Sequence, residues 1–178
     1  MDAGIELLAE GGWTALTHRK LAARAGANPG LVHYYFKGTA GLHAAIAESV
    51  TTQLISPVVE ELGAASSVRE FAAIVAASLR VAAADPRSIR LMTTLLVGAV
   101  HDQAVGSVAV AEVQRARRSI ADWLERQHPL WSSERAMAVA TLVGAAIDGA
   151  FLHLALDPQL DANALAIAIE ELAEGDNE

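Results

Sequence analysis

The sequence predicts an all-α fold of about nine helices, and three observations carry that expectation. Apolar residues recur at the three- and four-residue spacing of helices, and no stretch alternates with the period of two that marks a strand. Cap residues ahead of apolar runs, with Gly or Pro behind them, divide the 178 residues into segments of helical length. Residues 17–42 form two short amphipathic segments around a turn of about three residues, the outline of a helix-turn-helix.

Taken in order, Ile5, Leu8 and Ala9 lie on one face of a first helix. Thr17 caps a second, whose stripe is Leu21, Ala22 and Ala25, and Gly26 ends it by entering the left-handed conformation without a Cβ penalty. Asn28 caps a third helix and Pro29 takes its first position, where a missing N–H costs nothing. On a helical wheel Val32, Tyr35 and Phe36 share the face expected to pack, while Gly30, Leu31, His33, Tyr34 and Lys37 spread over the opposite one. The next helix runs from Thr39 to about Ile55, with Leu42, Ala45, Ile46, Val50 and Leu54 near one stripe and a kink or break expected at Pro57.

Ser67 and Glu70 form a capping box ahead of a helix carrying Phe71, Ile74, Val75 and Leu79. Asp85 and Pro86 stop that helix and start another, to about Val100, which His101 and Asp102 end. Gly106 marks a boundary before a helix from about Val108 to Gln127 that Pro129 closes. Ser132 or Ser133 caps a long run to Leu156, followed by Asp157 and Pro158; Asp161 caps a final helix that Gly175 ends.

The motifs Gly12-Trp13-Thr14, Lys20-Leu21-Ala22, Gly26-Ala27-Asn28-Pro29-Gly30, Tyr34-Tyr35-Phe36 and Leu42 together resemble the DNA-binding domain of TetR-family transcriptional regulators, from about Ile5 to Ile46. The segment 145–152 and the helix after it are similar to the last two helices of many such regulators, where the dimer forms. The resemblance implies an N-terminal three-helix helix-turn-helix domain, residues 1–46, followed by a C-terminal helical ligand-binding and dimerisation domain, residues 47–178. It implies that Gly30, Leu31 and Tyr34 face bases, while Thr17, Arg19, Lys20, His33, Tyr35, Lys37 and Thr39 hold the backbone and Asn28 caps the reading helix. His33 stands where the family usually has tyrosine and Thr39 where it usually has lysine. Histidine still donates to phosphate, Thr39 can cap the fourth helix and leave its N–H groups available, and Lys37 replaces the lost charge from nearby. The chain begins at or inside its first helix, without the basic arm many relatives carry, so N-terminal residues are open to question.

Residues 1–46 hold four basic and three acidic side chains, net +1, which leaves −9 to the rest of a chain whose total is −8. An acidic body with a less acidic tip suits a protein that touches nucleic acid at one end. No cysteine is present, so disulfides and thiolate metal sites are excluded, and a cytoplasmic location is expected. Asp2 and Glu6 interrupt any secretory signal at the start.

Ala136 to Leu156 carries only Asp148 and His153 as ionisable groups and is long enough to span a bilayer. It is built on alanine rather than leucine, and a mid-helix aspartate adds roughly 2.5 to 3.5 kcal/mol to insertion. Small residues at Ala136, Ala140 and Gly144, with Ala145 and Gly149 on the adjacent row, favour close approach of another helix. A dimer interface is expected there, with Ile147, Asp148 and Leu152 joining it, and no membrane partner.

No hydrolase, zinc-protease, dinucleotide or phosphate-loop motif appears, the six histidines are scattered without metal-site spacing, and neither catalysis nor a cofactor is expected. Phe71, Ile74, Met92, Leu95 and Leu96, with the polar groups of His101, Gln114 and Trp123, have the make-up of a small-molecule pocket, and the resemblance points to an effector there. A homodimeric repressor released from a palindromic DNA operator by a small molecule accounts for these features together. The alternative is an all-helical small-molecule-binding or structural dimer that has lost DNA affinity; a helical enzyme is third.

Overall fold

A computed structural model describes residues 1–157 and 159–174, with side chains through residue 172. The proline expected after the long run to Leu156, Pro158, and the glycine expected to end the last helix, Gly175, lie outside the described residues. Among the described residues all regular structure is helical: α1 (Asp2–Ala15), α2 (His18–Ala25), α3 (Pro29–Phe36), α4 (Thr39–Val50), a π-helical turn (Thr51–Ile55), α5 (Ser56–Ala64), α6 (Val68–Ala84), α7 (Pro86–His101), α8 (Gln103–Gln127), α9 (Ser133–Leu156) and α10 (Ala162–Glu174). Contacts divide these into two compact units, residues 1–55 with 90–112, and residues 56–89 with 113 onward.

In the first unit, Leu8, Leu16, Leu42, Ile46, Val50 and Val105 are fully enclosed. Each such side chain contributes about 1.5 to 3 kcal/mol by leaving water. The capping expected from sequence is present: Thr17 Oγ1 accepts from the Lys20 amide at 3.3 Å, and Asn28 Oδ1 from those of Gly30 and Leu31 at 2.8 and 3.4 Å. Of the α2 stripe Leu21 and Ala22 are buried, whereas Ala25 is exposed, because the stripe leaves the core in the last turn.

α1 breaks at Gly11 and Gly12, and Gly12 takes φ 64° and ψ −165°, a conformation essentially closed to residues with a Cβ. Past that break Trp13 turns in and its indole N–H donates to the Thr94 carbonyl of α7 at 2.8 Å. Gly98, one turn further along α7, lies directly against the indole, and a methyl there would overlap the ring.

The second unit is built on Phe71 stacked over Trp123, ring centroids 4.5 Å apart, with Leu79, Ala136 and Ala140 fully buried beside them. Trp123 donates its indole N–H to the Ala65 carbonyl at 2.7 Å, which satisfies the one polar atom of a buried ring. α10 runs along α6, with Arg80 and Glu170 paired at 3.0 Å. Ser67 caps α6 through the Glu70 amide, while the Glu70 carboxylate turns back to Ser66; Ser132 caps α9 and Asp161 caps α10.

Several local expectations are corrected. Of the kink or break expected at Pro57, the break does not occur: the bonding widens to a π turn at Thr51–Ile55 and the helix continues, an accommodation of a residue that lacks an amide donor. α8 starts at Gln103 rather than near Val108, because Asp102 Oδ1 accepts from the Ala104 and Val105 amides and caps it. Asp102 therefore opens a helix rather than closing one, and Gly106 sits inside α8 where the Ala99 carbonyl approaches. Thr39 is not the cap of α4: Gly38, at φ 98°, holds that position without a side-chain bond, and Thr39 is the first helical residue.

Replacing Gly98 with alanine should destabilise the chain by about 1 to 3 kcal/mol in chemical denaturation, the usual cost of overpacking. In a Trp13→Leu background the same substitution should cost much less, because the ring it strikes is gone; strict additivity would show that the two positions do not touch.

Candidate nucleic-acid interface

Helix α3 is held by two side chains and offers the rest to solvent. Val32 is buried and Phe36 packs against the core of the first unit. Leu31, Tyr34 and Tyr35 are 63%, 82% and 74% exposed. Tyr35 was expected on the packed face; instead its ring stands edge-on to Phe36, centroids 4.9 Å apart, because Phe36 alone fills the space beside Val32. Large rings left in water on a short, doubly capped helix are the pattern of a surface that another molecule completes.

Exposed Gly30, His33, Lys37 and Thr39 extend that surface, and Thr17, Arg19, Lys20 and Asn28 are exposed on and before the two helices. Arg24 is basic in composition but committed elsewhere: its guanidinium bonds Glu6 at 3.1 Å and Glu10 at 2.7 Å on α1. Those bonds hold the Glu10 carboxyl below its ordinary range and push the Arg24 guanidinium further up. Lys37 ends α3 at φ 55° and ψ 37°, the one non-glycine residue at positive φ among the described residues, with its amide bonded to the His33 and Tyr34 carbonyls. A lysine in this conformation costs about 1 to 2 kcal/mol relative to a relaxed backbone, so its side chain is kept against a local preference. The first turn of α4 has no side-chain cap, so its amides keep an anion-attracting field.

A buried clasp behind the surface was not anticipated from sequence. His43 of α4 is 9% exposed; its Nδ1 lies 2.6 Å from Asp102 Oδ2 and its Nε2 3.3 Å from the Leu16 carbonyl. Trp13 lies against the same imidazole, ring centroids 5.2 Å apart. The hydrogen bond from His43 holds the Asp102 carboxyl below its ordinary range, against some loss of hydration, and the Val105 and Ala104 amides add to it. Asp102 is 59 residues from His43, and no local pattern pairs them.

The residues expected around an effector divide between the units. Met92, Leu95, Leu96 and His101 belong to the first, Phe71, Ile74, Gln114 and Trp123 to the second. Leu95, Phe71 and Trp123 are core residues with their surface already covered, Met92 and Ile74 are half-buried, and Leu96, His101 and Gln114 are exposed. Among the described residues no three His, Asp or Glu side chains gather as metal ligands would.

Of the expected dimer residues, Ala136 and Ala140 are enclosed within their own unit and have no surface to give a partner, because the face of α9 that carries them turns inward. Ile147 is half-buried against the same core. The outward stripe is Leu142, Ala145, Gly149, Leu152 and Leu156, with Gly144 beside it, and a Cβ at Gly144 or Gly149 would meet nothing within 4 Å beyond the adjoining backbone of its own helix. Asp148 is exposed on that side; its apolar surroundings push its carboxyl above the ordinary range while Arg117 acts the other way. Among the described residues α9 is the one single helix long and apolar enough to cross a membrane.

The family profile of bacterial regulatory proteins of the tetR family matches residues 1–46, and that of the BetI-type transcriptional repressor C-terminal domain matches residues 67–175. The chain belongs to the TetR family. Curated TetR-family relatives include the HTH-type transcriptional regulators BetI of Brucella anthropi, 28% identical over 96% of this chain and 87% of its own length, and of Rhizobium meliloti, 26% identical over 88% and 76%. Among solved structures, a transcriptional regulator of Streptomyces coelicolor A3(2) superposes with a TM-score of 0.76 at 26% identity, covering 97% of this chain and 94% of that one. One from Pseudomonas aeruginosa PAO1 reaches 0.79 at 20% identity, covering 98% and 86%. This TetR-family chain is a DNA-binding transcriptional regulator and not an enzyme.

Substituting Lys37 with glycine should raise stability in denaturant melts by about 1 kcal/mol through relief of the left-handed strain. The same variant should lower the salt slope of DNA binding by roughly 0.9 if the side chain neutralises one phosphate; an unchanged slope removes Lys37 from the interface. Because the Asp102 carboxyl is depressed in the folded chain, its contribution is complete above the ordinary aspartate value of 3.8 and fades as pH falls through the lower folded value. The stability gap between wild type and Asp102→Asn, followed by urea melts, should therefore be full near neutrality and close only below about that pH.

Proposed function

We propose that the protein is a homodimeric, ligand-responsive repressor whose two α3 helices enter successive major grooves of a palindromic operator, about 34 to 36 Å apart. One observation carries this: the side chains of Leu31 and Tyr34 stand in solvent on a capped helix flanked by Arg19, Lys20 and Lys37, in a chain of a DNA-binding family. Gly30, Leu31 and Tyr34 would meet base edges. Thr17, Arg19, Lys20, His33, Tyr35, Lys37 and Thr39 would hold phosphates, Thr39 as the first residue of α4.

Residues 1–46 would act as the DNA-binding domain and 47–178 as the effector-binding and dimerisation domain, in the cytoplasm where the operator is. The outward stripe of α9 supports the dimer. Leucines around Ala145 and Gly149 leave an apolar, small-residue face that a second copy can approach closely, whereas lipid would have to take in Asp148 at mid-helix. A small organic effector is supported by the fold: FadR of Bacillus subtilis, a neighbour with a TM-score of 0.67 at 18% identity, was solved with stearoyl-CoA. The effector would shift the dimer toward a state with the wrong reader spacing, by no more than its difference in affinity for the two states.

Selection of bound duplexes from a random pool should return a palindrome. Tyr34→Ala should change preference among the selected sequences rather than weaken all of them alike, and a uniform loss would argue against base readout. Ala145→Glu should convert the dimer to monomer in sedimentation experiments while leaving helicity unchanged; a persistent dimer would place the interface elsewhere. Failure to bind any duplex at low salt would favour a helical dimer without DNA affinity.

A further inference from the structure

On the reading face, His33 of α3 does not stand alone. Its ring meets that of His18, the first residue of α2, with centroids 4.8 Å apart and planes at 63°. His33 is exposed, whereas His18 is half-buried and its Nε2 is sealed from solvent with no hydrogen-bond partner. A buried ring nitrogen without a partner carries its full desolvation cost, and in a neutral imidazole one nitrogen must be an acceptor. The ring nearest to offering it a proton is His33.

Charge gives that proton its weight. The head carries a net of +1, and Arg24 is held by Glu6 and Glu10, so the cations left to the reading surface are Arg19, Lys20 and Lys37. The remaining acidic group of the same segment, Asp2 on α1, the next one beyond it, Glu48 on α4, and the third histidine, His43 in its clasp with Asp102, lie on other helices. One added proton is therefore a large fractional change in the charge that meets a phosphate backbone. Two adjacent imidazoliums repel, so the pair is suited to hold one proton rather than two.

We infer that His18 and His33 form a proton-loaded grip on a backbone phosphate of DNA, in which a protonated His33 donates one N–H to the phosphate and, after a small rotation, the other to His18 Nε2. The inference rests on the DNA-docking role proposed for α3. His33 is the contact, His18 the positioning residue that gives the second N–H an acceptor. A phosphate beside an imidazole favours its charged form, so binding takes up a proton and DNA affinity strengthens as pH falls from 8 to 6.

The test is fluorescence anisotropy with two 30-base-pair duplexes, one of random sequence and one selected by the protein itself, at fixed ionic strength between pH 8 and pH 6. Wild type should bind both about 3- to 10-fold more tightly at the lower pH. His33→Gln should flatten this dependence, and calorimetry in two buffers of different ionisation enthalpy should show about one proton fewer taken up. His18→Leu should also flatten it, since the partner nitrogen is gone. Flat binding by wild type, or a full pH dependence in His33→Gln, overturns the grip; a full dependence in His18→Leu overturns the pairing. Absence of binding at every pH would instead remove the DNA-docking role on which the grip stands.

Discussion

One imidazole sets the geometry of the first unit. His43 lies between a carboxylate and a carbonyl, Asp102 at the start of α8 and Leu16 at the end of α1, and both are acceptors. An imidazolium satisfies both at once; a neutral ring satisfies only one. Trp13 closes the same site from α1 and carries the connection on to Thr94 of α7. Apolar packing of Leu8, Leu42 and Ile46 supplies most of the stabilising area, but it is non-directional. The polar clasp specifies how α1, α4 and the α7–α8 corner meet, so a displacement of that corner acts on the ring that also seats Leu16 at the end of α1.

The exposed face of α3 proposed to read DNA depends on that base being firm. α3 is only eight residues long, too short to be stable in isolation, and it is anchored by Val32 and Phe36 with caps at one end and a left-handed residue at the other. With so few residues used for anchoring, Leu31, Tyr34 and Tyr35 can stand outward together. The cost of exposing them and of holding Lys37 at positive φ is local. It is offset by the core beneath, which is how α3 stays both rigid and incomplete.

The second unit shows the same division on a longer helix. α9 gives one face, Ala136 and Ala140, to the core around Phe71 and Trp123, and leaves Leu142, Ala145 and Leu152 uncovered. A helix apolar on all sides needs a partner on the side its own chain does not cover. That face and the exposed side chains of α3 are two apolar surfaces that the described residues leave uncovered.

Local chemistry was legible from the residues: caps at Thr17, Asn28, Ser67, Ser132 and Asp161, the glycine stop at Gly26, and the proline starts at Pro29 and Pro86, because each acts within a few positions of itself. The helix-turn-helix and its family followed from them. Which face of a uniformly apolar helix turns inward was not legible, and Ala136 and Ala140 went to the wrong side for that reason, since small residues suit a core as well as an interface. Tyr35 was misplaced because a wheel ranks faces but cannot say that Phe36 already fills the space. The pairing of His43 with Asp102, and the meeting of His18 with His33, depended on helices far apart in the chain being brought together. Spacing along a helix carries no information about distance between helices; packing supplies it, and with it the clasp and the histidine pair.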